Sequence, residues 1–382
     1  MEKLVLLDDE IFVSEVLVKS LEKTKVQTFA KGKLKERLKE RDLDLISEEE
    51  AIEKLSLSNC QVYTNSEQFL PFVLQHSHNS DLKKSIRLFK DKALFRDFVS
   101  RIYPDFFFKK FNPNKQRKLN LPITKELILK PSIGFFALGV KKFYHQDFEK
   151  AINDSLISIS KEGKSFSKDV LDDSCFIIEE VIEGEEFACD AYFDREGKPV
   201  IVGLYQHPFK DKHDSRQLLY ITSKKILIEI SKHANEFLLI LKEKLKLKNF
   251  PIHFEFRIRD NILIPIEVNP LRFGGFGLAD LTYHAFGINP YFAFLNSVQP
   301  EWNRILDESL DSTHAWVLGR MEGITKPNVG KFKQAFQTIT HFVDLDYRKL
   351  PVFCIAYTEN EDINEVLKYL YFDFGEYNLS NY

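Results

Sequence analysis

The chain has 382 residues, 44% hydrophobic and 29% charged; this suggests two or three domains and excludes a disordered, collagen-like or membrane-embedded chain. Lys+Arg 54 against Asp+Glu 57 leaves a net charge of −3, so no overall field recruits nucleic acid. No apolar run approaches the roughly 18 residues that cross a bilayer, and no membrane partner is expected. The N-terminus turns acidic at Asp8-Asp9, too early for a signal peptide. Cys60, Cys175, Cys189 and Cys354 are scattered without a CxxC pair, which predicts reduced thiols and a cytoplasmic protein.

In chain order, the apolar run at 3–7 reads as a buried strand, and apolar residues at helical spacing follow over 11–21. Residues 61–63 form a second strand candidate, with Thr64-Asn65-Ser66 as a helix N-cap signal before Glu67. The mixed-sign run 31–41 reads as a solvated helix face. Together these predict an α/β unit over residues 1–85. Residues 82–108 read as helical, with a break at Pro104. Strand signals then dominate at 127–130, 176–178, 186–194, 200–205, 253–258 and 262–269, separated by helical stretches at 147–159 and 226–245. That alternation predicts an α+β body over 86–300. A small C-terminal α+β unit over 301–382 is expected from strand candidates at 315–318, 341–343 and 352–356 and a helix at 363–371.

Three short motifs mislead. Gly163-Lys164-Ser165 resembles the end of a P-loop, but Ser158 stands where the first glycine belongs. Asp373-Phe374-Gly375 spells the kinase metal-binding triplet with no HRD before it. His76 and His78 have no third ligand nearby and read as a surface pair.

The segment 253–269 carries more chemistry. In His253-Phe254-Glu255-Phe256-Arg257-Ile258 the odd positions are polar, so His253, Glu255 and Arg257 share one face of a strand. Glu267 and Asn269 share a face of the next strand. Two carboxylates and an amide oxygen are hard donors suited to Mg²⁺, which keeps waters and bridges to phosphates; solvent-facing hairpin glutamates are the alternative. A two-residue turn at Asp260-Asn261 with a regular ladder would put Glu255 and Glu267 on different faces. Their convergence therefore predicts a three-residue loop or a bulge that pairs Glu255 with Glu267.

Residues 264–275, IPIEVNPLRFGG, resemble the metal-binding hairpin and following loop of the ATP-grasp superfamily. The upstream chain agrees in order. Lys130 in LILKPS, followed by Ser132, Gly134 and Gly139, resembles the family's lysine and phosphate-covering loop, and FIIEEVIEGEEF at 176–187 resembles its hinge. Asp91-Lys92 resembles its earlier phosphate lysine. The resemblance implies an ATP-grasp fold with an N-terminal pre-ATP-grasp domain (1–85), a two-lobed ATP-grasp domain (86–300, hinge near 179–183) and the C-terminal unit (301–382). It is similar to D-alanine–D-alanine ligase-like and related carboxylate–amine ligases.

The resemblance further implies roles for particular residues. Lys92 and Lys130 would hold the α- and β-phosphates of ATP, and the loop from Ser132 through Gly134 to Gly139 would close over them. Backbone groups of Glu180 and Ile182, with Val181, would read adenine; Glu179 belongs to the same segment. Glu186 would accept from the ribose hydroxyls, and Lys210, with His207, falls where further phosphate or substrate contacts are placed. Glu255, Glu267 and Asn269 would hold two Mg²⁺ ions (Mn²⁺ as a substitute), and Arg272 would stabilise the transferring phosphoryl group. Two departures stand: Leu271 intervenes where the family reads N-P-R, leaving the aim of Arg272 open, and bulky Phe135 and Phe136 occupy the phosphate loop. The implied activity is ATP-dependent joining of a small-molecule carboxylate to an amine through an acylphosphate, with ADP and phosphate released. An ATP-binding regulatory protein and a kinase- or carboxylase-type activator are the alternatives. A homodimer is the base-rate expectation.

Overall fold

The computed structural model describes residues 2–8, 12–103, 106–115, 118–133, 138–162, 172–212, 214, 216–348 and 350–379. Lys3–Leu7 (β1), Gln27–Ala30 (β2) and Gln61–Thr64 (β3) form a parallel sheet in the order β2-β1-β3. From Leu4 to Leu7 β1 is apolar because both its faces are covered. Leu4 and Leu6 enter one core cluster and Val5 and Leu7 another, as in a parallel strand between helices. The helix Glu15–Thr24 begins where Ser14 Oγ accepts from the Leu17 N–H (3.2 Å) and ends at left-handed Lys25.

The stretch expected to be helical over 82–108 is two helices, Ser80–Lys90 and Lys92–Ser100, divided at Asp91. The Asp91 carboxylate accepts from the N–H groups of Ala93 and Leu94, so it caps the second helix. Phe108 leaves helical structure altogether and opens the strand Phe108–Phe111 (β4), where antiparallel pairing overrides the local composition.

Leu127–Ile133 (β5), Lys141–Phe143 (β6) and Asp172–Glu180 (β7) join β4 in an antiparallel sheet of order β4-β7-β5-β6. The helix Phe148–Glu162 lies on it, placing Phe148, Ile152 and Ile159 against Phe111, Leu129 and Phe176.

The largest sheet contains Glu185–Phe193 (β8), Pro199–His207 (β9), Leu219–Ser223 (β10), Phe250–Arg259 (β11), Ile262–Pro270 (β12), Thr313–Arg320 (β13), His341–Asp344 (β14) and Val352–Asn360 (β15). Its order is β12-β11-β8-β9-β10-β13-β15-β14. Helix Lys224–Lys244 covers one face, burying Ala234, Phe237, Leu238 and Leu241. The strands beyond residue 300 are bound into this sheet through the antiparallel pairing of β10 with β13. β2, β6 and β10, of four, three and five residues, are too short for alternation to mark them.

The N-terminal sheet is tied to the end of the β11–β12 hairpin. The Leu271 N–H donates to Pro251 O, and the Leu271 carbonyl accepts from the Thr64 N–H, both at 2.8 Å. Asp373-Phe374-Gly375 is a short capped turn in which Asp373 Oδ1 accepts from the Gly375 N–H at 3.0 Å. Gly163-Lys164-Ser165 lies outside the described residues. All four cysteines are free, and among the described residues no helix is long and apolar enough to cross a membrane.

Candidate functional site

The β11–β12 hairpin has the two-residue turn that a regular ladder would make unfavourable for the glutamates. Arg259 pairs with Ile262, while Asp260 and Asn261 both take positive φ (52° and 63°), the signature of a type I′ turn. A bulge then corrects the register: Phe256 faces Pro265, but Glu255 faces Glu267, leaving Ile266 as the extra residue. The bulge therefore brings Glu255 and Glu267 opposite each other, as their convergence required. The Asn269 side-chain amide lies 3.3 Å from Glu267 Oε1.

The helix Lys92–Ser100 sets its cations against this bulge. Lys92 Nζ lies 3.4 Å from Glu267 Oε2. Arg96 Nη1 donates to Pro265 O (3.1 Å) and Nη2 to Ile266 O (3.4 Å), so the carbonyls around the extra residue are held by a buried guanidinium. Burial works against the charge on Lys92, but Glu267, Glu67 and Glu255 outweigh it and raise its pKa. Burial likewise opposes ionisation of Glu267, and Glu67 adds to that opposition, yet Lys92, helped by Lys130 and the Asn269 amide, holds its pKa below the usual range.

Lys130, on β5, is buried and paired with Glu179 of β7, whose other oxygen lies 2.8 Å from Arg96 Nε. Glu179 and Arg96 are almost wholly removed from solvent. Burial alone would neutralise Glu179; Arg96 and Lys130 reverse the effect and lower its pKa. Glu179 thus faces Lys130 and Arg96 rather than solvent. Ser132 is placed inside β5 and buried, with its hydroxyl donating to Asp91 and accepting from the Ala93 N–H (3.2 Å). Gly134, Phe135 and Phe136 lie outside the described residues. Gly139 is described: its carbonyl accepts from Ser155 Oγ at 2.5 Å.

Leu271, the intervening residue, adopts φ 61° and is fully buried. Arg272 then turns toward the N-terminal unit, where its Nη2 donates to Glu67 Oε1 (2.9 Å) and its Nη1 to Phe273 O (3.1 Å). Lys90 grips the other Glu67 oxygen. Burial opposes the charge on Arg272, but Glu67, Glu267 and Glu255 raise its pKa. Lys92, Lys130, Glu255, Glu267 and Arg272 therefore share one electrostatic neighbourhood.

The hinge residues sit apart from that cluster. The Glu180 carboxylate pairs with Lys125 and with Arg259 Nη1 (3.3 Å). The Glu180 N–H donates to Phe107 O (3.1 Å) and the Val181 N–H to Glu126 O (3.0 Å). The Ile182 carbonyl accepts from Arg257 Nη1 at 2.6 Å, and its side chain joins Phe106 and Ile264 in a small apolar cluster edged by Phe108 and Ile266. Glu186 is engaged on both oxygens, by His207 Nδ1 (2.9 Å) and by Arg257 Nε and Nη2 (3.0 and 2.9 Å). Burial raises its pKa, but these partners lower it overall. Lys210 is exposed, with its ammonium 5.3 Å above the Tyr371 ring. A cleft of about 1380 Å³ beside the hinge is lined by Val181, Glu183, Glu186, His207 and Phe209, among others. The paired glutamates, Lys92, Lys130 and Arg272 do not line it.

Glu67, Arg96 and Asp190 escaped the sequence reading. A lone glutamate after a cap signal, an arginine within a helix and an aspartate within a strand have no distinguishing spacing; only the tertiary pairings single them out. Among the described residues no three His, Cys, Asp or Glu side chains form a metal cage. Two carboxylates at paired register positions plus an amide oxygen instead suit a hard cation that keeps water and phosphate ligands.

Residues 123–280 match the family model of the ATP-grasp domain. No curated protein matches the sequence. Among solved structures, the chain is similar to L-amino acid ligase from Bacillus licheniformis, with TM-score 0.66 and 16% identity over 97% of this chain and 96% of that one. It is also similar to the biotin carboxylase domain of 2-oxoglutarate carboxylase from Hydrogenobacter thermophilus in complex with MgADP, ADP and bicarbonate (0.61, 13%, covering 94% and 87%). N5-carboxyaminoimidazole synthetase from Staphylococcus aureus complexed with ADP is a third (0.64, 11%, 97% and 96%). At these identities the likeness is one of fold. Residues 123–280 thus match an ATP-grasp domain, and the chain as a whole, with its parallel N-terminal sheet and the two antiparallel sheets that follow, shares the fold of these structures.

Proposed function

We propose that the protein is an ATP-dependent carboxylate–amine ligase. The observation that carries this reading is the bulge-corrected pairing of Glu255 with Glu267, with Lys92 3.4 Å from the latter. That arrangement gathers acceptors for a divalent cation and donors for phosphate in one water-poor neighbourhood. Glu255, Glu267 and Asn269 would hold Mg²⁺, or Mn²⁺ in its place. When bound, the cation supplies charge neutralisation on the β- and γ-phosphate oxygens.

The chain's own groups account for the rest. Lys92 and Lys130 act as point charges on the phosphates, released to them from Glu267 and Glu179. Gly134 belongs to the segment after β5 that the resemblance assigns to the phosphates, while Ser132 itself lies inside β5, bonded to Asp91. The apolar cluster of Phe106, Ile182 and Ile264 offers a surface for adenine beside the backbone of Glu180, Val181 and Ile182. Glu186, held by Arg257 and His207, sits where a ribose hydroxyl would donate, and exposed Lys210 stands as a further substrate contact. A substrate carboxylate oxygen attacks the γ-phosphorus as the bond to ADP breaks, and Arg272 stabilises the spreading charge. The amine nitrogen then attacks the acyl carbon, and phosphate leaves. The similar L-amino acid ligase supports amino acids as the substrate class.

The test is ADP release by the purified protein with ATP, Mg²⁺ and pairs of amino acids and other carboxylates and amines. The reading expects release that needs both partners and a condensed product by mass spectrometry. Release with a carboxylate alone, or with none, would contradict it.

A further inference from the structure

We propose that the Tyr220 hydroxyl donates to the carbonyl oxygen of the acylphosphate and holds that oxygen as it gains charge under attack by the amine. This rests on the reading of the protein as a carboxylate–amine ligase. Tyr220 lies on β10, in register with Trp316 of β13. Its ring stacks on His207 of β9, with centroids 4.1 Å apart and planes at 17°, and meets Trp316 edge-on at 5.8 Å. His207 is bonded to Glu186, and Glu186 to Arg257. Arg257 and Glu255 lie two apart on β11 and share a face. This chain of side-chain contacts places Tyr220 on the sheet face that carries Glu255. Ala188 of β8, the residue opposite Glu255, belongs to the same apolar cluster as Tyr220 and Trp316.

The second ring beside Tyr220 is tied to the loop after Arg272, because Trp316 Nε1 donates to Phe276 O at 2.9 Å. Only 3% of Tyr220 is exposed, yet among the described residues its hydroxyl has no hydrogen-bond partner. A phenol so enclosed seldom goes unpaired, and the charges acting on it are those of the candidate site. Burial, with Glu255, Glu186 and Glu267, pushes its pKa well above the ordinary tyrosine range, against Arg272. The phenol therefore keeps its proton and serves as a donor.

The step it serves is amine attack. The amine nitrogen bonds to the acyl carbon while the carbonyl electron pair moves onto the acyl oxygen. That pair returns as the bond to phosphate breaks, and the amine proton leaves on the phosphate. A neutral donor already aimed at the oxygen stabilises the charge where it develops. The preceding phosphoryl transfer draws charge off the substrate carboxylate, so the same donor does not favour it.

The test is Tyr220→Phe, which keeps the ring and its stack and removes the hydroxyl alone. Single turnovers of full-length protein with ATP, Mg²⁺ and a mixture of the standard amino acids are quenched rapidly and read separately for ADP and for condensed product. The variant is expected to form ADP at the wild-type rate and condensed product about 100- to 1000-fold more slowly, with acylphosphate accumulating. Its urea midpoint should not fall, because no hydrogen bond within the fold is lost. Equal slowing of both steps overturns the inference. A variant that unfolds, or whose midpoint falls, shows the hydroxyl bonded within the fold and overturns it too. Wild-type protein that forms no condensed product removes the ligase reading and the inference with it; condensation by the wild type that the substitution leaves unchanged removes the inference alone.

Discussion

Glu67 holds Arg272 from across the N-terminal unit, and Lys90 completes the grip. The sequence showed the departure that makes this necessary, Leu271 between Pro270 and Arg272, but not its consequence. Leu271 is turned into left-handed backbone and buried, so Arg272 projects toward Glu67. Nothing in the one-dimensional pattern marks Glu67, because its partners lie 23 and 205 residues away. Removing its charge leaves Arg272 placed but unguided. Glu67→Gln is therefore expected to lower kcat by roughly 10- to 100-fold with little change in the KM for ATP, as for an interaction felt mainly in the transition state. Steady-state kinetics with the substrate pair found by ADP release checks this; a KM effect alone would place Arg272 in ground-state binding instead. Glu179 and Ser132 illustrate the converse. Both were legible as members of family-like segments, yet their side chains face inward, to Lys130 and Arg96 and to Asp91, because β7 and β5 continue through them as strands.

At the scale of elements, period-two alternation located the hairpin and its polar face, and the incompatibility of a two-residue turn with glutamate convergence identified the need for a bulge. Which strand carries it was not legible. The extra residue is Ile266, and what holds its neighbourhood is Arg96 from a helix far away in sequence. The helical reading of 82–108 failed at its end because β4 owes its conformation to pairing with β7 and not to its own composition. The connection between β7 and β8 carries a sharper constraint. Gly184 adopts φ 109°, and a Cβ there would stand 2.1 Å from the Ile258 carbonyl oxygen. Gly184→Ala must push the β7–β8 connection off β11. A loss of at least about 2 kcal/mol in urea unfolding is expected from the backbone strain alone. Wild-type stability in that variant would mean the β7–β8 connection yields freely.

For the molecule as a whole, the near-zero net charge conceals separated buried charges that couple distant segments. Asp280 receives hydrogen bonds from Ser14 of the N-terminal unit (2.8 and 2.6 Å) and from Tyr291 (2.9 Å). Burial, aided by Asp190, raises its pKa to about 7 despite those bonds. A group that holds its proton more tightly when folded contributes stability that is present at low pH and is lost as pH rises from its unfolded value toward 7. Asp280→Asn should therefore gain on the wild type in melting temperature as pH increases from 4 to 7, and differ least at pH 4. A gap that is constant across that range would show that the carboxyl is ionised throughout. The central claim is that Glu255 and Glu267 face each other to make, with Lys92, one cation-dependent ATP site. Calorimetric titration with ATP, with and without Mg²⁺, tests it most directly. The wild type is expected to bind ATP tightly only when Mg²⁺ is present, and Glu267→Ala to lose that Mg²⁺ dependence, by about 10-fold or more in affinity. Equal ATP affinity in wild type and variant at saturating Mg²⁺ would contradict it.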